Sequence, residues 1–202
     1  MLRHTLMVAG ALAVGAATTS ISAGGAAAAE FEVDSAHTDV VFNVNHLGYS
    51  NTWGSFEDVS GSFSFDPDAP EDAEVSLTIQ AASIDTNHTK RDEHLRGPDF
   101  LNAEEFPEIT FESTNVEVTG EKKGKLTGDL TMHGQTHPVT LDVTFNKMAP
   151  HPLPQYDNVL TAGFSARGAI KRATWGVDKF TPAVGDEMKL FIEVEAMKTD
   201  GM

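Results

Sequence analysis

The sequence predicts an all-β chain: eight antiparallel strands closed into a barrel, with one short helix in the connection between the third and fourth strands. Three observations carry this. Apolar and polar residues alternate through most of the chain, the period at which side chains point to opposite faces of a strand. The alternating segments are separated mostly by short turns. One stretch alone, from Ser83 to Phe111, is strongly helix-like, and strands lead into it and out of it. An antiparallel sheet with one apolar face per strand hides its edges by closing on itself.

In chain order, Val40, Phe42, Val44 and His46 share one face of a first strand, with Asp39, Asn43 and Asn45 on the other. A second strand begins near Thr52 and closes on Phe63 and Phe65; Gly54 and Gly61 are where its wall bends or bulges. Asp66-Pro67-Asp68 turns the chain into a third, Glu74 to Ala82, where Val75, Leu77, Ile79 and Ala81 alternate with Ser76, Thr78 and Gln80. A helix follows over about Thr89 to Arg96. Thr86 or Asn87 is placed to accept from the free N–H groups of its first turn, and Gly97-Pro98 is a stop signal. Ile109 and Phe111 open a fourth strand that runs to about Val118 and ends in the polar turn Gly120-Glu121-Lys122-Lys123-Gly124. Leu126, Gly128, Leu130 and Met132 mark a fifth, His133-Gly134-Gln135-Thr136 a tight turn, and Val139, Leu141, Val143 and Phe145 a sixth. Pro150, Pro152 and Pro154 cannot donate to a ladder, so residues 149–154 form a loop. Leu160, Ala162, Phe164, Ala166 and Ile170 mark the seventh strand, and Met188, Leu190, Ile192, Val194 and Ala196 the eighth. The final residues, Lys198 to Met202, are expected to fray.

Residues 1–29 read as a secretory leader: Arg3, an apolar run from Leu6 to Ala17, and small residues ending in Ala27, Ala28 and Ala29. Residues 30–202 then suit a single barrel domain. The chain has no cysteine, which excludes disulfides, thiol nucleophiles and Cys-ligated clusters. With the leader, this points to a bacterial periplasmic protein held by its own core. A formal charge of −16 argues against nucleic acid and against an anionic membrane surface, whose affinities rest on Lys and Arg.

Several pieces of the chain stand out by their order and spacing. They are Asp34, His37 and Thr38; Phe42-x-Val44-x-His46-Leu47-Gly48 with Gly54-Ser55-Phe56; Ser83-Ile84-Asp85-Thr86; and Arg91-Asp92-x-His94-Leu95-x-x-x-Asp99-Phe100. Phe106-Pro107-x-Ile109-x-Phe111, Leu126-Thr127-Gly128-Asp129-Leu130-Thr131-Met132-x-Gly134, Arg172-x-x-Trp175-Gly176-Val177 and Val184-Gly185-Asp186-Glu187 complete the set. In that order and spacing they resemble the YceI-like family of bacterial periplasmic proteins, although Thr38 stands where that family usually has Ser, and Thr174 where an acidic residue is common. The resemblance implies a lipocalin-like eight-stranded barrel that binds a polyisoprenoid lipid, with no reaction, no metal and no cofactor beyond the lipid. A carrier of that kind meets a membrane or membrane protein to load, and pairing of two barrels is compatible with it.

For the isoprenoid tail, the inward apolar candidates are Phe42, Val44, Leu77, Ile79, Phe111, Leu130, Met132, Phe164 and Ile192. Each also suits a barrel core. His46, Arg91, His94, Leu95, Phe100, Phe106, Trp175 and Phe180 are the candidates for a mouth and lid, most of them lying in the two long connections. A hydrolase- or isomerase-type enzyme using Arg91, Asp92 and His94 is the alternative, although i and i+2 side chains diverge on a helix. Asp92 and Arg96, at i and i+4, are better spaced as a structural ion pair tying the helix down, and the planar fork of Arg91 suits a head-group oxygen. Convergence of His37, His46, His88 and His94 on a metal has no diagnostic spacing. An integral outer-membrane barrel is disfavoured by the polar C-terminus and the scarcity of aromatics for two girdles.

Overall fold

The computed structural model of the protein describes residues 28–199, so the expected leader lies outside the described residues except for its last two positions. Eleven extended stretches occur: β1 (Ala29–Val33), β2 (Asp39–His46), β3 (Ser50–Phe56), β4 (Val59–Phe65), β5 (Glu74–Gln80), β6 (Ile84–Asp85), β7 (Glu108–Gly120), β8 (Lys123–Met132), β9 (Gln135–Pro150), β10 (Leu160–Lys171) and β11 (Val184–Lys198). The helix α1 spans Thr89–Arg96, as the sequence predicts. The stretches make eight strands, because β1 and β2 are one strand broken by a single 3-10 turn at Ser35–His37, and β3 and β4 are one strand bent at Glu57-Asp58. The two-residue β6 leans on β3. The ring runs β1-β4-β5-β7-β8-β9-β10-β11 and closes by pairing β1 with β11, all antiparallel. Beyond the break, β2 takes over as neighbour of β11.

Alternation explains most of the wall. In β8, Leu126, Gly128, Leu130 and Met132 turn inward and Lys125, Asp129 and Thr131 outward, and β9 answers with Val139, Leu141, Val143 and Phe145. The β8–β9 turn is the pair His133-Gly134, both at positive φ, the backbone that matches the twist of a two-residue hairpin. In β7 the inward phase changes from Ile109 and Phe111 to Val116 and Val118, and the register shifts between Ser113 and Asn115 to absorb it. Gly61 sits at φ 145°, where a Cβ would collide with the Ser76 carbonyl across the β4–β5 ladder, but the register runs unbroken past it, so the bend expected of the second strand falls at Glu57-Asp58 instead.

Three boundaries differ from the sequence expectation. The third strand stops at Gln80, because Ala81–Ser83 is a 3-10 turn. The Pro-rich segment is a loop only from His151, since Pro150 still aligns with Leu160. Lys198 is not frayed: it ends β11, and the Thr199 amide donates to the Glu30 carbonyl.

The two ends of the barrel differ. At one, which we call the helix end, α1 and the 3-10 turn Arg172–Trp175 cap the barrel. There Ile84, Phe100, Leu101, Trp175 and Val177 are all buried in one cluster with Val40, Phe42 and Phe56. Arg172 holds this cap. Its guanidinium donates to the carbonyls of Val177 (2.6 Å), Gly185 (2.8 Å), Lys179 (3.0 Å) and Val184 (3.0 Å). At the opposite, turn end stand the β4–β5 connection (residues 66–73), the β7–β8 turn and the β9–β10 loop. Its apolar cluster is smaller, with Phe31, Phe63 and Phe65 packed against Phe145 and Phe164.

Candidate functional site

An apolar cavity of about 580 Å³ occupies the barrel interior. Its depth is lined by Ile79, Ile109, Met132, Val139, Ile170 and Leu190, its middle by Leu77, Phe111, Leu130, Leu141, Val143 and Ile192, and its outlet by Pro67, Pro70 and the turn Gly120–Lys125. The wall leaves this room partly because β10 presents Ala166 and β8 presents Gly124 toward the interior, whereas the space over Gly128 is taken by the Phe111 ring. At eight strands, side chains of ordinary size would just fill the bore, so small residues decide whether a lumen survives. The volume falls in the usual range for ligand pockets.

Of the residues expected to face a tail, Leu77, Ile79, Phe111, Leu130, Met132, Phe164 and Ile192 line this cavity. Phe42 and Val44 do not. The Phe42 ring packs on Phe56 and over Gly54, where a Cβ would stand 2.5 Å from its tip, and Val44 packs on the same cluster, whose Val40 and Phe56 form the floor of the cavity. Both lie in the plug at the helix end. Sequence reasoning passed over Leu126, Val139, Leu141, Val143 and Leu190, although each sits on the inward phase of its strand and was legible by that signal.

The residues expected at a mouth are instead at the closed end. Trp175 is 3% exposed, its Nε1 donating to the Leu130 carbonyl at 3.0 Å; Phe100 is buried and Leu95 packs against the same core. Phe106 lies over His133 and Gly134. Phe180 is 52% exposed on the outside, and His46 is exposed at the end of β2 rather than sharing its apolar interior. None of these lines the cavity, which opens at the turn end.

The charged cluster of α1 is structural in geometry. The helix is capped by His88, whose Nδ1 accepts from the Arg91 amide at 3.3 Å, and not by Thr86 or Asn87. Thr86 is committed elsewhere: its amide (2.9 Å) and hydroxyl both donate to the buried Asp92 carboxylate. Burial alone would raise the Asp92 pKa, but these bonds and the His88 amide outweigh it and hold it below the usual carboxylate value. Asp92 and Arg96 form no ion pair. Arg96 donates to the carbonyls of Ala82 (2.6 Å) and Ile84 (2.7 Å), and Arg91 to the hydroxyl and carbonyl of Thr86 (both 2.6 Å). His94 stands 3.3 Å from Asp99, which also binds Lys179, and its ring rests on Phe100. Its side chain is half exposed, and neither it nor Asp92 lines the cavity.

The four histidines considered for a metal are likewise apart in role: His88 caps, His94 meets Asp99, His46 ends β2, and His37 bonds Asp34 at 2.7 Å. Among the described residues one mixed group, Asp34, His37 and Glu195, brings ligand-type atoms within 4.8 Å of one another. The bond from His37 lowers the Asp34 pKa and raises that of His37, as a surface ion pair does.

The YceI-like domain family matches residues 31–196. Protein YceI of Escherichia coli O6:H1 is 40% identical over 184 residues, covering 90% of this chain and 94% of its own. Among solved structures, the Campylobacter jejuni YceI protein superposes with a TM-score of 0.69 at 35% identity, covering 77% of this chain and 90% of its own. A polyisoprenoid-binding domain from Saccharophagus degradans shares the fold alone, with a TM-score of 0.57 at 12% identity over 85% of this chain and 99% of its own. By sequence over nearly all the described residues, and by the same barrel in three dimensions, the chain belongs to the YceI-like family.

Proposed function

We propose that the protein is an exported, periplasmic carrier that encloses the tail of a long isoprenoid lipid, a polyprenyl phosphate or an isoprenoid quinone, for transport or storage. The observation that carries this reading is the apolar bore, sealed at the helix end and open at the turn end. Family membership and the shared fold of a polyisoprenoid-binding domain support it. A blind bore also limits tail length. The ten residues of β8, at about 3.3 Å per residue and a tilt near 40°, give roughly 25 Å along the barrel axis.

The energetics constrain what such a carrier can select. Taking about twenty carbons out of water at ~0.8 kcal/mol each would release ~16 kcal/mol, close to the ceiling for non-covalent binding. The tail's real alternative is a membrane, where it is already in hydrocarbon, so this contribution nearly cancels. Selectivity is left to tail length and to polar contacts where the tail ends. Loading then requires transient contact with a membrane or a membrane protein. The test is to purify the exported domain, extract it with organic solvent and identify lipids by mass spectrometry. One long isoprenoid per chain is expected. No long-chain species, together with no uptake of added polyprenol or quinone, would overturn the reading.

A further inference from the structure

We propose that Asp34, His37 and Glu195 form a site for one divalent cation of the zinc type on the outer wall of the barrel, with the buried His151 holding the Glu195 carboxylate in place. The site sits at a seam. Asp34 caps and His37 ends the 3-10 turn that breaks β1 from β2, and Glu195 lies on β11 where that strand passes from pairing with β1 to pairing with β2. Val194 and Ala196 on either side of Glu195 turn inward, and none of the four residues lines the bore. The backbone presets the approach. The Asp34 amide donates to the Glu195 carbonyl at 2.9 Å, and the Thr38 hydroxyl donates to that carbonyl and accepts from the Glu195 amide, both at 3.3 Å. One ligand atom from each of Asp34, His37 and Glu195 then lies within 4.8 Å of the others.

Asp34 Oδ1 accepts from the Ala36 amide at 3.0 Å, which leaves Oδ2, 2.7 Å from His37 Nδ1, to face an ion. Donors bound to one zinc at about 2.0–2.2 Å stand roughly 3 Å apart, so a cation replaces the proton between these two atoms with little movement, and His37 keeps its remaining proton on Nε2. Neither carboxylate pairs with a Lys or Arg among the described residues, so a divalent charge is not pre-empted. His151 is the independent sign of a ligand. It is 9% exposed, its ring centre lies 3.9 Å from that of Tyr156, and its amide donates to the Val159 carbonyl at 2.8 Å. The Leu153 amide donates to its Nδ1 at 3.2 Å, which puts the proton of the neutral ring on Nε2. That Nε2 is aimed at the Glu195 carboxylate from 3.7 Å, too far for a hydrogen bond, and has no other partner among the described residues. A buried donor left unmet costs stability. An ion on one Glu195 oxygen leaves the other for His151, the kind of bond that orients a ligating carboxylate. One imidazole and two carboxylates suit zinc and its first-row neighbours, whereas calcium and magnesium favour all-oxygen shells. The His37 side chain is 52% exposed, so water completes the coordination.

The test is calorimetric titration of the tag-free, chelator-treated protein with zinc chloride, with the melting temperature as a second readout. One zinc per chain is expected, raising the melting temperature by about 5–10 °C at a hundredfold excess over Kd. His37→Gln changes an exposed side chain, so it is expected to keep the metal-free melting temperature while losing both the uptake and the zinc-induced rise. His151→Phe keeps a ring against Tyr156 but removes the donor, and is expected to weaken zinc by about tenfold or more. His46→Gln, at an exposed histidine away from the cluster, is expected to bind as the parent does. Uptake unchanged in His37→Gln, calcium or magnesium bound as tightly as zinc, or no uptake by the parent at millimolar zinc overturns the assignment. Each of those results leaves the carrier reading standing, because no group of the site faces the bore.

Discussion

Replacing Ala166 by Leu separates a true lumen from a packed core by the sign of its effect. Ala166 is 8% exposed, lines the cavity, and lies in register with Val143 on β9 and Ile192 on β11. Leu adds three carbons. In open space they remove apolar surface from water, at most about 2.4 kcal/mol at ~0.8 kcal/mol per carbon. Lost rotamer freedom takes back roughly 0.5–1 kcal/mol, leaving a net gain near 1.5 kcal/mol. In a filled core the same carbons force neighbours aside at about 1–3 kcal/mol of lost stability. Urea unfolding of the delipidated protein reads the difference. With a slope near 2 kcal/mol per molar, the midpoint is expected to rise by roughly 0.7 M at unchanged slope. A fall of half a molar or more would mean that the bore is closed in solution, and the carrier reading would lose its foundation. Ala166→Trp extends the test, since it is expected to fill the bore, keep the fold and lose most of the bound lipid.

Three further outcomes follow from the cap and the outlet. Asp92→Asn is expected to cost about 2 kcal/mol near neutral pH and to speed amide exchange over residues 86–96, because the Thr86 amide and hydroxyl lose a charged acceptor. Since the folded pKa of Asp92 lies below its usual 3.8, that stability is present above about pH 4 and lost as the pH falls through the folded value, so the variant's acid unfolding profile should be the flatter one. Arg172→Met strips the donors from four carbonyls and is expected to cost ~3 kcal/mol or more; calorimetry checks it, and a melting temperature within two degrees of the parent would contradict the role given to Arg172. The absence of cysteine makes single-site labelling clean: Val118→Cys at the outlet should react quickly and be protected by lipid, whereas Val177→Cys at the helix end should stay unreactive, and the reverse order would put the opening at the wrong end.

The strands and the helix were readable because each expresses a period that packing must obey. The β8–β9 hairpin follows from alternation plus a Gly able to take positive φ, and α1 from its stop signal. The 3-10 break at Ser35–His37 and the shift at Ser113/Asn115 were not readable, because each depends on where a neighbouring strand ends its pairing. The bore-lining faces were legible up to the question of depth. Phe42 and Leu130 have the same inward phase, and only the closing of the helix end separates plug from lumen. The misplaced mouth has a physical cause. Long connections rich in aromatics look like lids, yet Phe100, Leu101 and Trp175 carry enough apolar surface to fill a barrel end completely, while a polar two-residue turn such as Glu121-Lys122 cannot cover one.

That asymmetry bears on how a ligand would leave. Opening the helix end would break the bonds of Asp92 to Thr86, of Arg91 to Thr86, of Arg96 to Ala82 and Ile84, and of Arg172 to its carbonyls, while exposing the buried Trp175 and Phe100. With net values of about 1.5–3 kcal/mol for each hydrogen bond to a charged group, the cost rivals the total stability of a domain, so α1 is a stopper and not a gate. Exit at the turn end needs only that the ligand slide past Pro67, Pro70 and Phe145. In that geometry the release rate would be governed by what receives the ligand, and no conformational step in the cap enters it.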